Sequence, residues 1–229
     1  MEPAGFDGQI MAIDFNKMFG TVGPKESDVL IVARTQMSPG NVCIGGFDIG
    51  TKCNIRLLTS TGGNQPDSAP FQIGQIWNIA YIPKKNLTPP HLEDVMIQTA
   101  RVSSTLDGAD IVSFITQNCS VVSGSLDSLF GGAVKSTLRH ASYIDSSCVP
   151  NHSVCFWRPN SELVHINTFA KDKYHYVDDA HNTYFAYVGL VSPVAVVPKG
   201  SIVRISLPRW WAAPGATSKV CYLQLSGWY

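Results

Sequence analysis

Charge is scarce in this sequence. Only 15% of its 229 residues are Asp, Glu, Lys or Arg, against about 25% in an ordinary soluble domain. Lys plus Arg and Asp plus Glu stand equal at 17 each, so no whole-molecule field steers the chain toward nucleic acid or an anionic membrane. No apolar run approaches the ~20 residues of a spanning helix. The N-terminus, MEPAGFDGQIMAIDF, lacks the basic and continuous apolar regions of a signal peptide. None of the six cysteines (Cys43, Cys53, Cys119, Cys148, Cys155 and Cys221) forms a CxxC pair, and CIGGFDIGTKC and CVPNHSVC fit no zinc spacing. These absences lead us to expect a cytoplasmic protein with mostly buried thiols, no membrane partner and no cofactor.

One absence is local. From Ala180 to Tyr229 there is no Asp or Glu, while Lys199, Arg204, Arg209 and Lys219 remain. The balanced total therefore hides a basic C-terminal segment and an acidic remainder.

What is present is apolar and turn-rich: 45% hydrophobic residues, with 19 glycines and 14 prolines. After a glycine-rich stretch over 1–26, DVLIVAR, NVCIGGFDI and CNIRLLTS read as short strands separated by turns. FQIGQIWNIAYIP alternates as a longer strand whose phase changes near Gly74, a sign of a bulge or bend. So many strands in so few residues is the profile of a small barrel or sandwich. Helices are expected over Leu92–Arg101 and Leu126–His140, the second weakened by Gly131-Gly132. Strand patterns resume in SVCFWRP, LVHINTFA, KYHYV, NTYFAYVGLVSPVAVVP, SIVRISLP and KVCYLQLSGWY. Two β units joined by a helical segment account for this order.

Catalytic signatures are missing. His165, His175 and His181, with Asp178 and Asp179, match no helical HxxxH or HExxH spacing. Ser125 lacks the G-x-S-x-G elbow, and Gly131-Gly132 before Lys135-Ser136-Thr137 lacks phosphate-loop spacing. We expect no enzyme.

VCIGG (42–46), NIRLL (54–58), HLEDVMI (91–97), ISLP (205–208) and CYLQL (221–225) follow the order of motifs in the bacterial dual OB-containing family, which the chain resembles over roughly 28–229. ART at 33–35 and the missing proline after Arg56 depart from that pattern. The resemblance implies an all-β dominated fold of two OB-like small β-barrels joined by a segment with one or two short helices. The expected division is an extension (1–27), a first barrel (28–104), a linker (105–147) and a second barrel (148–229). It also implies a bacterial conflict or defence setting and recognition of nucleic acid, an analogy of fold that the residues must carry independently.

In such a barrel one face of the three-strand meander usually carries ligand. Arg34, Lys52 and Arg56 are candidates to face phosphates there, and Gly45-Gly46 either eases a close approach or shapes the barrel. RISLPRWWAAPGATSKVCYLQLSGWY interleaves Arg204, Arg209 and Lys219 with Trp210 and Trp211. Cations that neutralise phosphates and rings that stack on bases are the ingredients of single-strand binding. Lys84 and Lys85, near Trp77, form a weaker patch. The expected function is a non-catalytic sensor or adaptor that binds single-stranded or structured nucleic acid, with a protein partner that carries the catalytic activity. A protein-protein adaptor using exposed aromatics, or a small-nucleotide module, are the alternatives.

Overall fold

A computed structural model describes residues 23–168 and 171–229. Most of the expected N-terminal extension lies outside the described residues. Strand β1 (Lys25–Gln36) turns through Gly40 into β2 (Asn41–Asp48), which turns into β3 (Cys53–Leu58). A two-residue strand, β4 (Gln65–Pro66), adds to the edge of β2. Strands β5 (Gln75–Pro83) and β6 (Asp94–Thr105) complete the unit. β5 pairs antiparallel with β1 and β6, β6 runs parallel to β3, and β1 returns to β2. The ring β1-β2-β3-β6-β5 therefore closes on itself, and a closed barrel removes the open edge that invites aggregation. The bend expected near Gly74 is there: that residue has φ +90° just before β5 begins.

Alternation explains the apolar run of β1. Val29 and Ile31 point into the barrel with Ile44, Leu57, Ile79 and Tyr81. Leu30 and Val32 point outward and are fully buried as well. A strand buried on both faces reads as a continuous hydrophobic run.

What covers the outer face is the linker helix, α1 (Gly108–Asn118), capped by Asp107, whose side chain accepts from the Asp110 amide at 2.9 Å. Its Ile111 and Ile115, one turn apart, pack with Leu30, Val32 and Phe47 on one side and with Phe156 and Ile202 on the other. One apolar cluster thus joins the first barrel, the helix and the second barrel.

Beyond α1, β7 (Val121–Gly124) leads to a 3₁₀ segment over Leu126–Gly132. Two short strands follow, β8 (Lys135–Ser136) and β9 (Ser142–Asp145). The second barrel is built from β10 (Val154–Pro159), β11 (Leu163–Thr168), β12 (Lys171–Val177) and β13 (Asn182–Tyr187). It is completed by β14 (Val196–Val197), β15 (Val203–Ser206) and β17 (Gln224–Trp228), while β16 (Val220–Tyr222) pairs with β9 in a separate three-stranded sheet with β8. The ladder β11-β12-β13-β17-β15-β10 repeats the first barrel's order. Its opening strand is broken into β10 and β11, and the parallel β13–β17 pair stands where β3–β6 stands in the first unit. Trp157, Tyr174, Tyr176 and Phe185 fill its core.

Both expected helices are corrected. Leu92–Arg101 lies mostly in β6, because Leu92, Val95 and Met96 mimic helical spacing over a run too short to decide, and the ladder to β5 prevails. The helix expected over Leu126–His140 stops within one short 3₁₀ stretch, where Phe130 (φ 51°), Gly131 (φ 68°) and Gly132 (φ 82°) enter the left-handed region. The true helix escaped the sequence reading because Ile111, Val112, Ile115 and Thr116 are β-branched and weak helix formers.

At one end of the first barrel Asp48 is fully buried and gathers Lys25 Nζ at 2.9 Å, Ser27 Oγ at 2.6 Å, the amides of Gly50 and Thr51, and the Tyr81 hydroxyl. Burial alone would push this carboxyl up, but the bonds from Ser27, Tyr81 and Lys25 outweigh it and hold it well below the usual carboxylate range. The carboxylate ties the start of β1, the β2–β3 turn and β5. Because the folded value lies below the unfolded one, its stabilisation is complete above about pH 4 and is lost as pH falls further. Asp48→Asn is expected to cost about 2–4 kcal/mol in denaturant melts at neutral pH. Its melts should also flatten the acid limb of stability relative to wild type.

Candidate functional site

The β5–β6 loop of the first barrel, residues 84–93, meets residues 207–219, which follow β15 of the second barrel, across the junction. His91 Nε2 lies 3.1 Å from the Leu207 carbonyl and 2.9 Å from that of Pro208, so it is the protonated, donating nitrogen. Burial, then the nearby Arg209 cation, pushes His91 below the ordinary imidazole value. From the opposite loop Trp210 Nε1 donates to the Pro89 carbonyl at 2.9 Å.

Asp94, 2% exposed, holds the centre. Arg56 grips it with Nε and Nη2, both at 2.6 Å, and Arg209 Nη2 reaches it from the second barrel at 2.8 Å. Burial pushes the Asp94 carboxyl up, but the two guanidinium groups outweigh burial and set it lower than usual. Burial likewise works against the Arg56 cation, and Asp94 more than restores it. Next to Asp94, Glu93 accepts from the Ser153 amide and, at 2.9 Å, from the Ser153 hydroxyl. Burial leaves the Glu93 carboxyl above its ordinary value despite those bonds.

These groups surround a cleft of about 280 Å³ between the barrels. Thr35, Cys43 and Gly45 come from the first barrel and Ser206 and Gln224 from the second. Arg204, on β15, is 6% exposed and donates from Nη1 to Ser226 Oγ at 3.1 Å. Its guanidinium lies over β2, where a Cβ on Gly45 would stand 2.8 Å from Nη2. The first glycine of the pair therefore makes room for an arginine of the other barrel. The second, Gly46, makes room for Val29 within its own barrel, its absent Cβ falling 2.5 Å from Cγ1.

Of the residues singled out in the sequence, the structure gathers Arg56, Arg204 and Arg209 in this cleft. Trp211 is half exposed and beside Tyr222, with ring centroids 6.1 Å apart, and Lys219 is exposed on the same loop. Trp210 is half-buried against the second barrel's core. Others lie elsewhere. Arg34 donates to the carbonyls of Phe71 (3.1 Å) and Asp67, Lys52 to Asn118 Oδ1 at 2.6 Å, and Lys84 to the Gly62 carbonyl at 3.2 Å. Lys85 is exposed. Trp77 is a correction: it is 8% exposed inside the first barrel, 4.7 Å from the Phe71 ring, and has no face to offer a ligand. Strand alternation turns it inward with Ile79 and Tyr81.

The sequence reading missed His91, Glu93, Asp94 and Ser153 as site residues. The HLED run stands out in the sequence only as part of a short motif and of the span expected to be helical from Leu92. The histidines considered for acid–base work are dispersed: His165 pairs with Asp172, His175 with Asn182, and His181 with Asp127 and Asp178. Among the described residues no group of three His, Cys, Asp or Glu side chains is placed to hold a metal. All six cysteines are free; Cys155 and Cys221 are buried, whereas Cys148 is exposed, contrary to the expectation of mostly buried thiols.

Two barrels of one strand order, clasped through facing loops, make this a tandem OB-like protein. The model of the dual OB-containing domain matches residues 27–228, and the chain belongs to that family. No curated protein matches the sequence. Among solved structures, the p204 HINb domain is 10% identical, with 89% of this chain and 97% of that chain covered and a TM-score of 0.36. The Ifi202 HINa domain in complex with 20bp dsDNA is also 10% identical, covering 89% and 98%, at 0.33. A murine DNA binding protein bound with dsDNA is 8% identical, covering 90% and 99%, at 0.31. TM-scores of this size leave the ligand of this chain to be argued from its own residues.

The Asp94 bridge is directly testable. Asp94→Asn leaves two guanidinium groups facing each other and should cost about 3–5 kcal/mol, whereas Arg209→Ala, at a half-exposed site, should cost about 1 kcal/mol or less. Guanidinium unfolding of both variants against wild type gives the comparison.

Proposed function

We propose that this chain is a non-catalytic nucleic-acid-binding module, the sensor or adaptor of a bacterial defence or conflict system whose catalytic activity resides in a separate protein. The observation that carries this reading is the convergence of Arg56, Arg204 and Arg209 on one cleft, beside a loop that presents half-exposed Trp211 and exposed Lys219. Guanidinium groups bind phosphate through bidentate hydrogen bonds. An exposed indole stacks on a base whatever its identity. One free ring beside a narrow cleft suits an unpaired strand or an end better than a duplex. The bacterial setting is supported by the family resemblance alone, and a cytoplasmic location accords with six free thiols.

A second reading has its own observation. Leu190, Val191, Val194 and Val196 are each at least 39% exposed, and Val164 pairs with Val196 across β11 and β14. Such a patch on the second barrel favours a protein partner.

Fluorescence anisotropy with labelled single- and double-stranded DNA and RNA at two salt concentrations tests the proposal. Single strands should bind with an affinity that falls as salt rises, because phosphate contacts release counterions. Trp211→Ala should weaken binding by about 1–3 kcal/mol. Trp210 is the wrong ring to remove, since its loss would also break the contact to Pro89. No binding to any of these at low salt would sink the reading in favour of the apolar patch.

A further inference from the structure

Arg204 is a buried cation that no carboxylate among the described residues contacts directly. Its Nε is buried without a hydrogen-bond partner, and its Nη1 has only the neutral Ser226 hydroxyl. The nearby carboxylates make their hydrogen bonds elsewhere: Asp94 to Arg56 and Arg209, and Glu93 to Ser153, so that Glu93 acts on Arg204 only through space. A buried guanidinium with no carboxylate in direct contact is costly. Three guanidinium groups line the cleft against two carboxyl groups, so cation is in excess even when both carboxyls are ionised.

We infer that the inter-barrel cleft is a binding site for a phosphate monoester, with Arg204 as its floor and Thr35, Ser206 and Gln224 as neutral hydrogen-bonding walls. At about 280 Å³ the cleft stands at the lower end of small-ligand pockets, near ~300 Å³. That admits a phosphate with about one nucleoside and excludes a duplex or a strand passing through. The inference rests on the nucleic-acid reading and sharpens it: the module holds a phosphorylated end in the cleft while the adjoining bases meet Trp211. A free mononucleotide carries the same chemistry and is the other source of the ligand.

The test compares three probes by anisotropy or calorimetry: a single-stranded oligonucleotide with a terminal phosphate, the same strand with a hydroxyl end, and a nucleoside monophosphate. The phosphorylated strand is expected to bind at least about tenfold more tightly than the hydroxyl one, the worth of one charge-assisted hydrogen bond. Arg204→Gln should erase that preference, so that the two strands bind alike. Gly45→Ala is the companion variant, because its methyl would displace the guanidinium while keeping the charge in the chain. It should erase the preference too, which keeps the test decisive where Arg204→Gln fails to fold. Equal binding of both strands by wild type, without mononucleotide binding, overturns the phosphate site and leaves the nucleic-acid reading standing. Mononucleotide binding lost in Arg204→Gln, with neither strand bound, supports the site and overturns the nucleic-acid reading. No binding of any probe overturns both.

Discussion

The junction of the two barrels depends on one carboxylate. Asp94 sits at the start of β6, and the first barrel holds it with both nitrogens of the Arg56 fork. The second barrel reaches the same group with Arg209. A single buried acid thereby satisfies two cations from the two barrels. Its placement also fixes the loops around it: His91 stands three residues before it and meets the Leu207 and Pro208 carbonyls, and Trp210 stands one residue after Arg209 and meets Pro89. The polar clasp lies alongside an apolar one, the cluster of Leu30, Val32, Phe47, Ile111, Ile115, Phe156 and Ile202. The apolar cluster supplies area and little direction, whereas the hydrogen bonds at Asp94 select one relative placement of the barrels.

This division of labour explains the charge asymmetry along the chain. The segment from Ala180 onward has four cations and no acid of its own, yet it is not a free basic tail. Arg209, though half-exposed, draws its counter-charge from the first barrel, Arg204 lies buried over Gly45 of that barrel, and Lys199 and Lys219 are exposed. The glycine pair in VCIGG has the same logic. Gly45 serves an inter-barrel contact and Gly46 an intra-barrel one, so two adjacent residues of identical chemistry answer two different steric demands.

Much of the fold was legible because strand alternation and turn chemistry are local. The all-β class, the meander from Asp28 to Leu58 and the bend near Gly74 follow from periodicity and from glycine's freedom at positive φ. The helix positions were not legible. LEDVMIQTAR has apolar spacing compatible with either element, and only its pairing with β5 decides between them. GADIVSFITQN has poor helix propensity and becomes a helix because both faces of the gap between barrels need Ile111 and Ile115. The site was legible in part for a related reason. Arginine and tryptophan announce themselves in sequence, but the carboxylate that neutralises Arg56 and Arg209 comes from 38 and 115 residues away. No window of sequence contains that pairing. Trp77 shows the converse, a ring that looks available beside Lys84 and Lys85 until strand direction turns it into the core.

The same bookkeeping separates Arg204 from its neighbours. A surface arginine needs no partner, because water solvates it, and a buried one is normally matched to a carboxylate, as Arg56 is to Asp94. Arg204 is neither. It is as buried as the core, touches the cleft, and is bonded to a hydroxyl where an ion would serve better. If the residue served only to fasten the barrels, an apolar side chain of similar volume over Gly45 would do so without the cost of a desolvated charge. A guanidinium at that position, with a glycine opposite to admit it, is what a site for a transient anion requires: a charge in direct contact with an anion only while the ligand is bound.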